Sequence, residues 1–446
     1  MMSGNTESKR VLITLCSIYK LLLDYLYVQN ISSIYGYYGG NYGFSSNFSV
    51  IEYIFSWLIF LLFTNAILVI TYRKQEKFSS LLLFIYYLFY FVPFTSMFYG
   101  GYKYNFIIYS ILVWTFLVRY YYLFSKHPLN FTTNGVSVVP SSRLAFIVFI
   151  VLTILICLSV VYLSGKYTNF RLSFNEQYTY IYRVEAFDYQ VSWFWGYLYS
   201  WSRLIIPLVL CIAVVNRRYI VASILFILKM LGFGYDGMRL DLLITILSVG
   251  IALVYRNYNP VKNIKRLFRA ILLAMICICL LSVIEHFALG TGEIDRVITF
   301  RVLFLPNLIA SWFITFFETH IPDFFRQSFL RFFGYESPYA GMGLDYIISD
   351  FIFGDNGRAN NGLVADCMTN YGVVGFLFQP FFVTLWAHIV NKVSNDMHIS
   401  IILMLAVYFS YCLTNNFFTI ILFTNGGFIV ILYLSVLKRI KIREKY

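Results

Sequence analysis

Long apolar runs recur along the entire sequence, and no other feature limits the possible fold as strongly. A run of roughly 17–25 apolar residues is long enough to cross a hydrocarbon core of about 30 Å as a helix. We place the candidate spans at about 11–28, 51–72, 80–98, 106–124, 144–164, 193–215, 220–235, 240–255, 270–289, 371–391, 400–418 and 420–437. The sequence therefore predicts an all-α, polytopic integral membrane protein with about 12 transmembrane helices.

Composition agrees with a membrane protein. The chain of 446 residues is 60% apolar and 12% charged, whereas soluble domains are roughly 45–50% apolar and 25% charged. Removing the apolar runs leaves no soluble domain of ordinary size, so we expect one polytopic domain over residues 1–446. The first run is long and lacks a small-residue cleavage site, which predicts a retained span rather than a secretory signal.

The formal charge of +13 does not indicate nucleic-acid binding, because the basic residues lie mainly in short segments between apolar runs. Lysine and arginine concentrate in the cytoplasmic loops of membrane proteins. Alternate segments are basic here, from "SKR" at 8–10 to the tail "KRIKIREKY" at 438–446. With about twelve spans, this bias places both termini in the cytoplasm.

The run "RVLFLPNLIASWFITFFETH", residues 301–320, is equally apolar but begins at Arg301 and ends near Glu318 and His320. A crossing by this run would put the basic tail outside, against the charge bias. We therefore interpret it as a re-entrant or interfacial segment on the outer face. Residues 290–370 then form the larger of two extracytoplasmic loops, and residues 165–192 form the first.

Few ionisable residues lie inside the spans. Lys20 and Asp24 are four residues apart, a helical spacing at which we expect them to neutralise each other inside the bundle. Arg203 and Lys229 either pack in the same way or face a cavity. The seven cysteines are scattered, a pattern that suits neither a disulfide framework nor a thiolate metal site.

The basic residues of the predicted outer segments are nearly all arginines. They are Arg171, Arg183, Arg239, Arg296, Arg301, Arg326, Arg331 and Arg358, against Lys103 and Lys166. The planar guanidinium binds phosphate or carboxylate in a bidentate manner, whereas lysine is a point charge. The bias favours an anionic ligand, and pairing with acidic residues of the same loops is the alternative.

Three outer stretches carry a resemblance. They are "YIYRVEA" at 180–186, "FRVLFLPNL" at 300–308 and "GRANNGLVADCMTNYGVVG" at 357–375. Together, and in this order, they resemble the Wzy-type oligosaccharide repeat-unit polymerases of O-antigen, capsule and exopolysaccharide biosynthesis. The resemblance covers about half the chain. An arginine followed by a glycine after ten intervening residues, described for some of these polymerases, is not found at Arg183 or Arg301.

The resemblance implies a glycosyltransferase in the bacterial inner (plasma) membrane. Such enzymes join lipid-linked repeat units on the outer face, with an undecaprenyl-diphosphate-linked glycan as donor and a single lipid-linked unit as acceptor. The implied partners are a flippase, a chain-length regulator and membrane lipids. A nucleic-acid partner is not implied. Neutralising the leaving diphosphate requires fixed positive groups, for which the candidates are Arg183, Arg301, Arg239 and Arg358.

The acceptor hydroxyl must lose a proton, and a base for it adds roughly 10²–10⁴-fold in rate. His320 is the first candidate because histidine titrates near neutral pH, and Glu318 and Asp366 follow. The alternative for His320 is a helix-capping residue or a partner of Asp323. Sugar contacts are expected from Tyr182 and from Asn360, Asn361 and Asn370. The alternative for the three asparagines is turn and helix-cap chemistry.

We expect no metal and no cofactor, because the first outer loop, 29–50, contains no acidic residue and the chain has no nucleotide fingerprint. Two other functions stay open. An O-antigen ligase would share the large loop and its arginines but pass glycan to lipid A core. A flippase or transporter for lipid-linked glycans would need polar groups near the membrane midplane.

Overall fold

The protein is an all-α polytopic membrane protein. The computed structural model describes residues 3–35, 43–45, 47–71, 77–126, 143–173, 193–257, 260–290, 292, 294–328, 330–339, 342–354, 358–394 and 397–439. Regular structure within these ranges is helical throughout, with no strand. The predicted fold class is therefore confirmed.

Sixteen principal helices follow one another in the described part of the chain. They are α1 (Ser3–Leu26), α2 (Val50–Thr71), α3 (Lys77–Tyr86), α4 (Tyr104–Lys126), α5 (Arg143–Tyr167), α6 (Trp193–Val215), α7 (Tyr219–Asp236), α8 (Arg239–Tyr255), α9 (Pro260–Leu289), α10 (Leu305–Phe317), α11 (Leu344–Phe353), α12 (Leu363–Tyr371), α13 (Gly375–Ser394), α14 (Ile399–Asn415), α15 (Phe418–Phe423) and α16 (Gly427–Arg439). Three π-helical segments adjoin them: Tyr27–Ile31 after α1, Tyr87–Phe91 after α3, and Asp295–Phe304 before α10. Such segments are rare in proteins and occur frequently at functional sites.

Eleven helical stretches of the described chain are long and apolar enough to cross a membrane. Ten coincide with predicted spans, and the predicted spans at 240–255 and 400–418 correspond to two shorter apolar helices, Asp241–Tyr255 and Ile399–Asn415. The eleventh is Asp295–Phe317, which the sequence analysis did not count as a span. With this additional helix, the number of crossings no longer fixes the two termini on one side, and their cytoplasmic location stays a prediction.

The apolar run at 301–320 is a buried helix rather than a surface segment. The helix begins at Asp295 as a π-helix, continues as α10 from Leu305 with Pro306 in its first turn, and ends at Phe317. An interfacial helix buries one face and exposes the other, but 72% of the apolar window of Asp295–Phe317 is buried inside the protein. Within the predicted 290–370 loop, the described residues between 318 and 362 hold turns, a 3₁₀ turn at Leu330–Phe333 and α11.

The chain, expected as one polytopic domain, forms two compact units. The first comprises Met1–Leu129, Val261–His388 and Phe409–Thr419, and the second comprises Asn130–Pro260, Ile389–Tyr408 and Ile420–Tyr446. In the first unit α10 packs against α4, α11 and α12. In the second unit α5, α6, α7 and α8 pack against one another.

Candidate functional site

The turn that follows α10 in the first unit carries His320. The imidazole stacks on the ring of Phe316, with the centroids 3.9 Å apart and the planes within 6°. The edge of Phe351 in α11 meets it at 5.8 Å. Two aromatic rings thus fix the orientation of a histidine whose side chain is exposed to solvent.

The hydrogen bonds of His320 identify its basic nitrogen. Nδ1 lies 2.9 Å from the carbonyl oxygen of Phe316 and 2.9 Å from Oγ1 of Thr319. A carbonyl oxygen can only accept, so in neutral His320 Nδ1 carries the proton and donates it. Nε2 then holds the free lone pair. No described residue hydrogen bonds Nε2, so this nitrogen is available to a substrate.

Glu318 lies two residues before His320 but is already engaged. Its Oε1 accepts a hydrogen bond of 2.9 Å from Nδ2 of Asn105, and its Oε2 lies 3.5 Å from Nζ of Lys103. Lys103 directly precedes α4, and Asn105 lies in its first turn. The carboxylate therefore joins this segment to the end of α10, which suits a positioning role better than that of a base.

The chain after His320 folds over the buried Asp323. The carboxylate accepts 2.8 Å and 2.6 Å hydrogen bonds from the backbone N–H of Gln327 and the hydroxyl of Ser337. Tyr339 closes the same turn by donating its hydroxyl to Ile321 O at 2.6 Å. Burial, with a smaller effect of Asp323, raises the pKa of the Tyr339 hydroxyl. Asp323 is thus a turn residue rather than the partner of His320.

Asn370 holds the strained part of this turn. Phe324 and Phe325 have positive φ angles of 52° and 64°, a region that bulky side chains rarely occupy. Oδ1 of Asn370 accepts the N–H of Phe325 at 3.0 Å, and the carbonyl of Thr369 accepts the N–H of Asp323 at 2.9 Å. The sugar-contact prediction for Asn370 gives way to a turn-stabilising role, the alternative considered from the sequence.

Asp366 is the centre of a buried hydrogen-bond network. Its carboxylate accepts N–H donors from Asn370 in the same helix and from Gln379 in α13. The backbone N–H of Phe418, the first residue of α15, donates to it at 2.7 Å. The residue is 0% exposed and both of its oxygens are hydrogen bonded. The geometry therefore gives Asp366 a structural role and not that of a base.

Arg358 is held on α11. Its Nε donates to the hydroxyl of Tyr346 at 2.6 Å, its guanidinium lies 4.7 Å from the centroid of that ring, and Asp345 lies 3.9 Å away. Half of the side chain remains exposed. Asn360 is exposed and Asn361 buried. The short helix α11 therefore carries the partners of Arg358, Asp345 and Tyr346, and also Phe351, the ring against His320.

The remaining candidates are distributed along the chain. Arg301 is exposed within the π-helical segment of the first unit, and Arg239 begins α8 in the second unit. Arg183 and Tyr182 lie outside the described residues. The described structure thus brings His320, Glu318 and α11 with Arg358 into one region of the first unit, and it pairs Asp366 with Asn370.

The sequence did not predict the partners within two polar networks. In the second unit, Asp241 lies 3.1 Å from Nε of Arg203 and 3.5 Å from Nζ of Lys229, while Tyr199 donates to Asp236 at 2.6 Å. In the first unit, Asn30, Ser282, Asp295 and Thr299 meet inside the bundle. The expected Lys20–Asp24 pair is confirmed at 2.9 Å. For the other two networks, the sequence feature that could have indicated them is a lone acidic residue beside an apolar run.

Among the described residues, His, Cys, Asp and Glu side chains form no group of three or more that could hold a metal ion. The described cysteines, including Cys367 within α12, are free thiols. No family model, no curated protein and no solved structure matches the chain.

Proposed function

We propose that the chain is a polymerase that joins undecaprenyl-diphosphate-linked oligosaccharide repeat units into O-antigen, capsular or exopolysaccharide. The observation that carries the proposal is the hydrogen-bond geometry of the exposed His320. Nδ1 lies 2.9 Å from Phe316 O, which can only accept, and Nε2 has no hydrogen-bond partner among the described residues. The multi-span helical body supports the proposal because donor and acceptor are both membrane lipids.

The reaction is a single displacement. Nε2 of His320 takes the proton of the acceptor hydroxyl, whose oxygen attacks the anomeric carbon of the donor glycan. The bond from that carbon to the diphosphate oxygen breaks, and undecaprenyl diphosphate leaves with the electron pair. A positioned base supplies roughly 10²–10⁴-fold in rate.

Arginines neutralise the charge that develops on the leaving diphosphate, and such electrostatic stabilisation is usually the largest catalytic contribution. Arg301 and Arg358 are the candidates in the first unit, both with exposed side chains. Arg239 and Arg183 are the candidates elsewhere in the chain. Asn360 stays a candidate for sugar binding because it is exposed and next to Arg358 in sequence, and Asn361 and Tyr182 are retained as predictions.

The test is a reconstituted reaction. Liposomes that contain the purified chain and a lipid-linked repeat unit are followed for release of undecaprenyl diphosphate and for lengthened glycans. His320→Ala is expected to lower the rate about 10²–10⁴-fold. Glu336→Gln is the matched control, because Glu336 is an exposed residue of the same segment. Wild-type rates for His320→Ala would refute the role of the histidine.

One observation favours a second function, transport of lipid-linked glycans. Arg203, Lys229, Asp236 and Asp241 lie in or beside apolar helices of the second unit, and ionisable residues at membrane depth often mark transport paths. The pairing of Asp241 with Arg203 at 3.1 Å and with Lys229 at 3.5 Å is, however, what a structural network requires. The liposome experiment separates the two, because a transporter moves the substrate without lengthening it.

A further inference from the structure

Four polar side chains meet deep inside the first unit. Asn30 lies in the π-helical segment that follows α1, Ser282 lies in α9, and Asp295 and Thr299 lie in the π-helical segment that precedes α10. All four residues are 0% exposed. Buried polar groups in membrane helices are costly and are commonly functional, so this cluster needs a physical explanation.

The hydrogen bonds within the cluster leave two oxygen atoms without partners. Oδ1 of Asp295 accepts a 3.2 Å bond from Nδ2 of Asn30 and a 3.0 Å bond from the hydroxyl of Ser282. The hydroxyl of Thr299 donates to Ser282 at 2.9 Å. Oδ2 of Asp295 and Oδ1 of Asn30 are buried and unpartnered within the described chain. Two buried acceptors without a donor are expensive to keep.

No described lysine or arginine forms an ion pair with Asp295. Glu285, the nearest acidic residue along α9, accepts the backbone N–H groups of Ile294 and Asp295 at 2.8 Å and 3.2 Å. Of the nearby titratable groups, His286 favours the charged carboxylate and Glu285 opposes it. A bound cation would therefore supply the positive charge that no described lysine or arginine provides.

We propose that this cluster binds one monovalent metal cation, sodium, through Oδ2 of Asp295 and Oδ1 of Asn30. The hydroxyl oxygens of Ser282 and Thr299 complete an oxygen-only set, the ligand type that hard cations require. A single carboxylate neutralises a single positive charge. A divalent ion would leave an uncompensated charge in the bundle interior.

Binding would have a structural consequence. The cation joins the π-helical turn after α1, the helix α9 and the π-helical start of the α10 helix at one point. Because Arg301 lies in the same π-helical segment as two of the ligands, sodium would also fix the backbone that carries this arginine. The inference does not depend on the proposed glycosyl transfer.

The experiment uses the purified full chain in detergent. Binding of radioactive sodium is measured directly, and the melting temperature is compared in sodium chloride and in choline chloride at equal ionic strength. The expected result is saturable binding of one sodium per chain and a rise in Tm of about 2–4 °C in sodium. Asp295→Asn and Asn30→Ala should lose both, whereas Asp350→Asn, an exposed control in α11, should keep both.

Two outcomes would overturn the proposal. The first is equal melting in sodium and choline with no bound sodium. The second is an Asp295→Asn protein that is at least as stable in choline as the intact chain, since this would show that Asp295 holds a proton and pairs with Asn30 as a neutral acid. If Asp295→Asn does not fold, Ser282→Ala decides, because loss of one neutral ligand should weaken sodium binding several-fold, and unchanged binding would contradict the site.

Discussion

Replacing Asp366 by alanine should destabilise the protein rather than remove a catalytic group. The carboxylate accepts N–H donors from Asn370, Gln379 and the backbone of Phe418 at full burial. A hydrogen bond to a charged group contributes about 1.5–3 kcal/mol, and a buried donor left without a partner costs about 1–3 kcal/mol. Partial relaxation makes these losses less than additive, so we expect about 3–5 kcal/mol for Asp366→Ala.

The assay is reversible unfolding of the purified chain in mixed detergent micelles, with activity measured per folded molecule. Asp366→Asn should fall between the intact chain and Asp366→Ala, because it keeps one acceptor oxygen but turns an amide N–H₂ toward existing donors. Asp350→Ala, at an exposed position of α11, should unfold like the intact chain. Normal stability of Asp366→Ala together with lost activity would refute the structural role and restore Asp366 as a candidate base.

Three other predictions follow from the same geometry. Gly362→Ala should destabilise the chain by about 1–3 kcal/mol, because the added Cβ would lie 2.5 Å from Thr414 O. The control is Gly196→Ala, whose Cβ would have nothing within 4 Å and which should be neutral or stabilising in the same unfolding assay. Asp241→Asn should cost about 3–5 kcal/mol by leaving the buried Lys229 and the part-buried Arg203 without their anion. Adding Lys229→Met should recover part of the loss if the pairing is responsible. Arg301→Lys keeps the charge but removes the bidentate fork, so release of undecaprenyl diphosphate should slow at least ten-fold, and an unchanged rate would remove Arg301 from the site.

The sequence predicts much of the helical framework because membrane spans are long and locally encoded. Lys20 and Asp24 could be paired from their spacing alone. The helix Asp295–Phe317 was not counted among the spans because its charged ends and the overall charge bias argued against a crossing, while its burial depends on packing against α4 and α12. That packing is not visible in local composition.

The polar contacts were harder to foresee because they join distant parts of the chain. Asn30 and Asp295 are 265 positions apart, and Asp366 meets the N–H of Phe418 across 52 positions. No local sequence pattern links residues so far apart. His320 was selected because histidine titrates near neutral pH, and its choice as a base stays a prediction. The hydrogen bond of its Nδ1 to the carbonyl of Phe316 could not be predicted from the sequence.

The most direct test of the proposed function is the length of the glycan made in a bacterium that produces the cognate repeat unit and lacks its own polymerase. The account predicts that the intact chain restores a ladder of long glycans. It also predicts that His320→Ala, present in the membrane at the same level, leaves mainly single repeat units. Single units without a ladder in the presence of the intact chain would contradict the account.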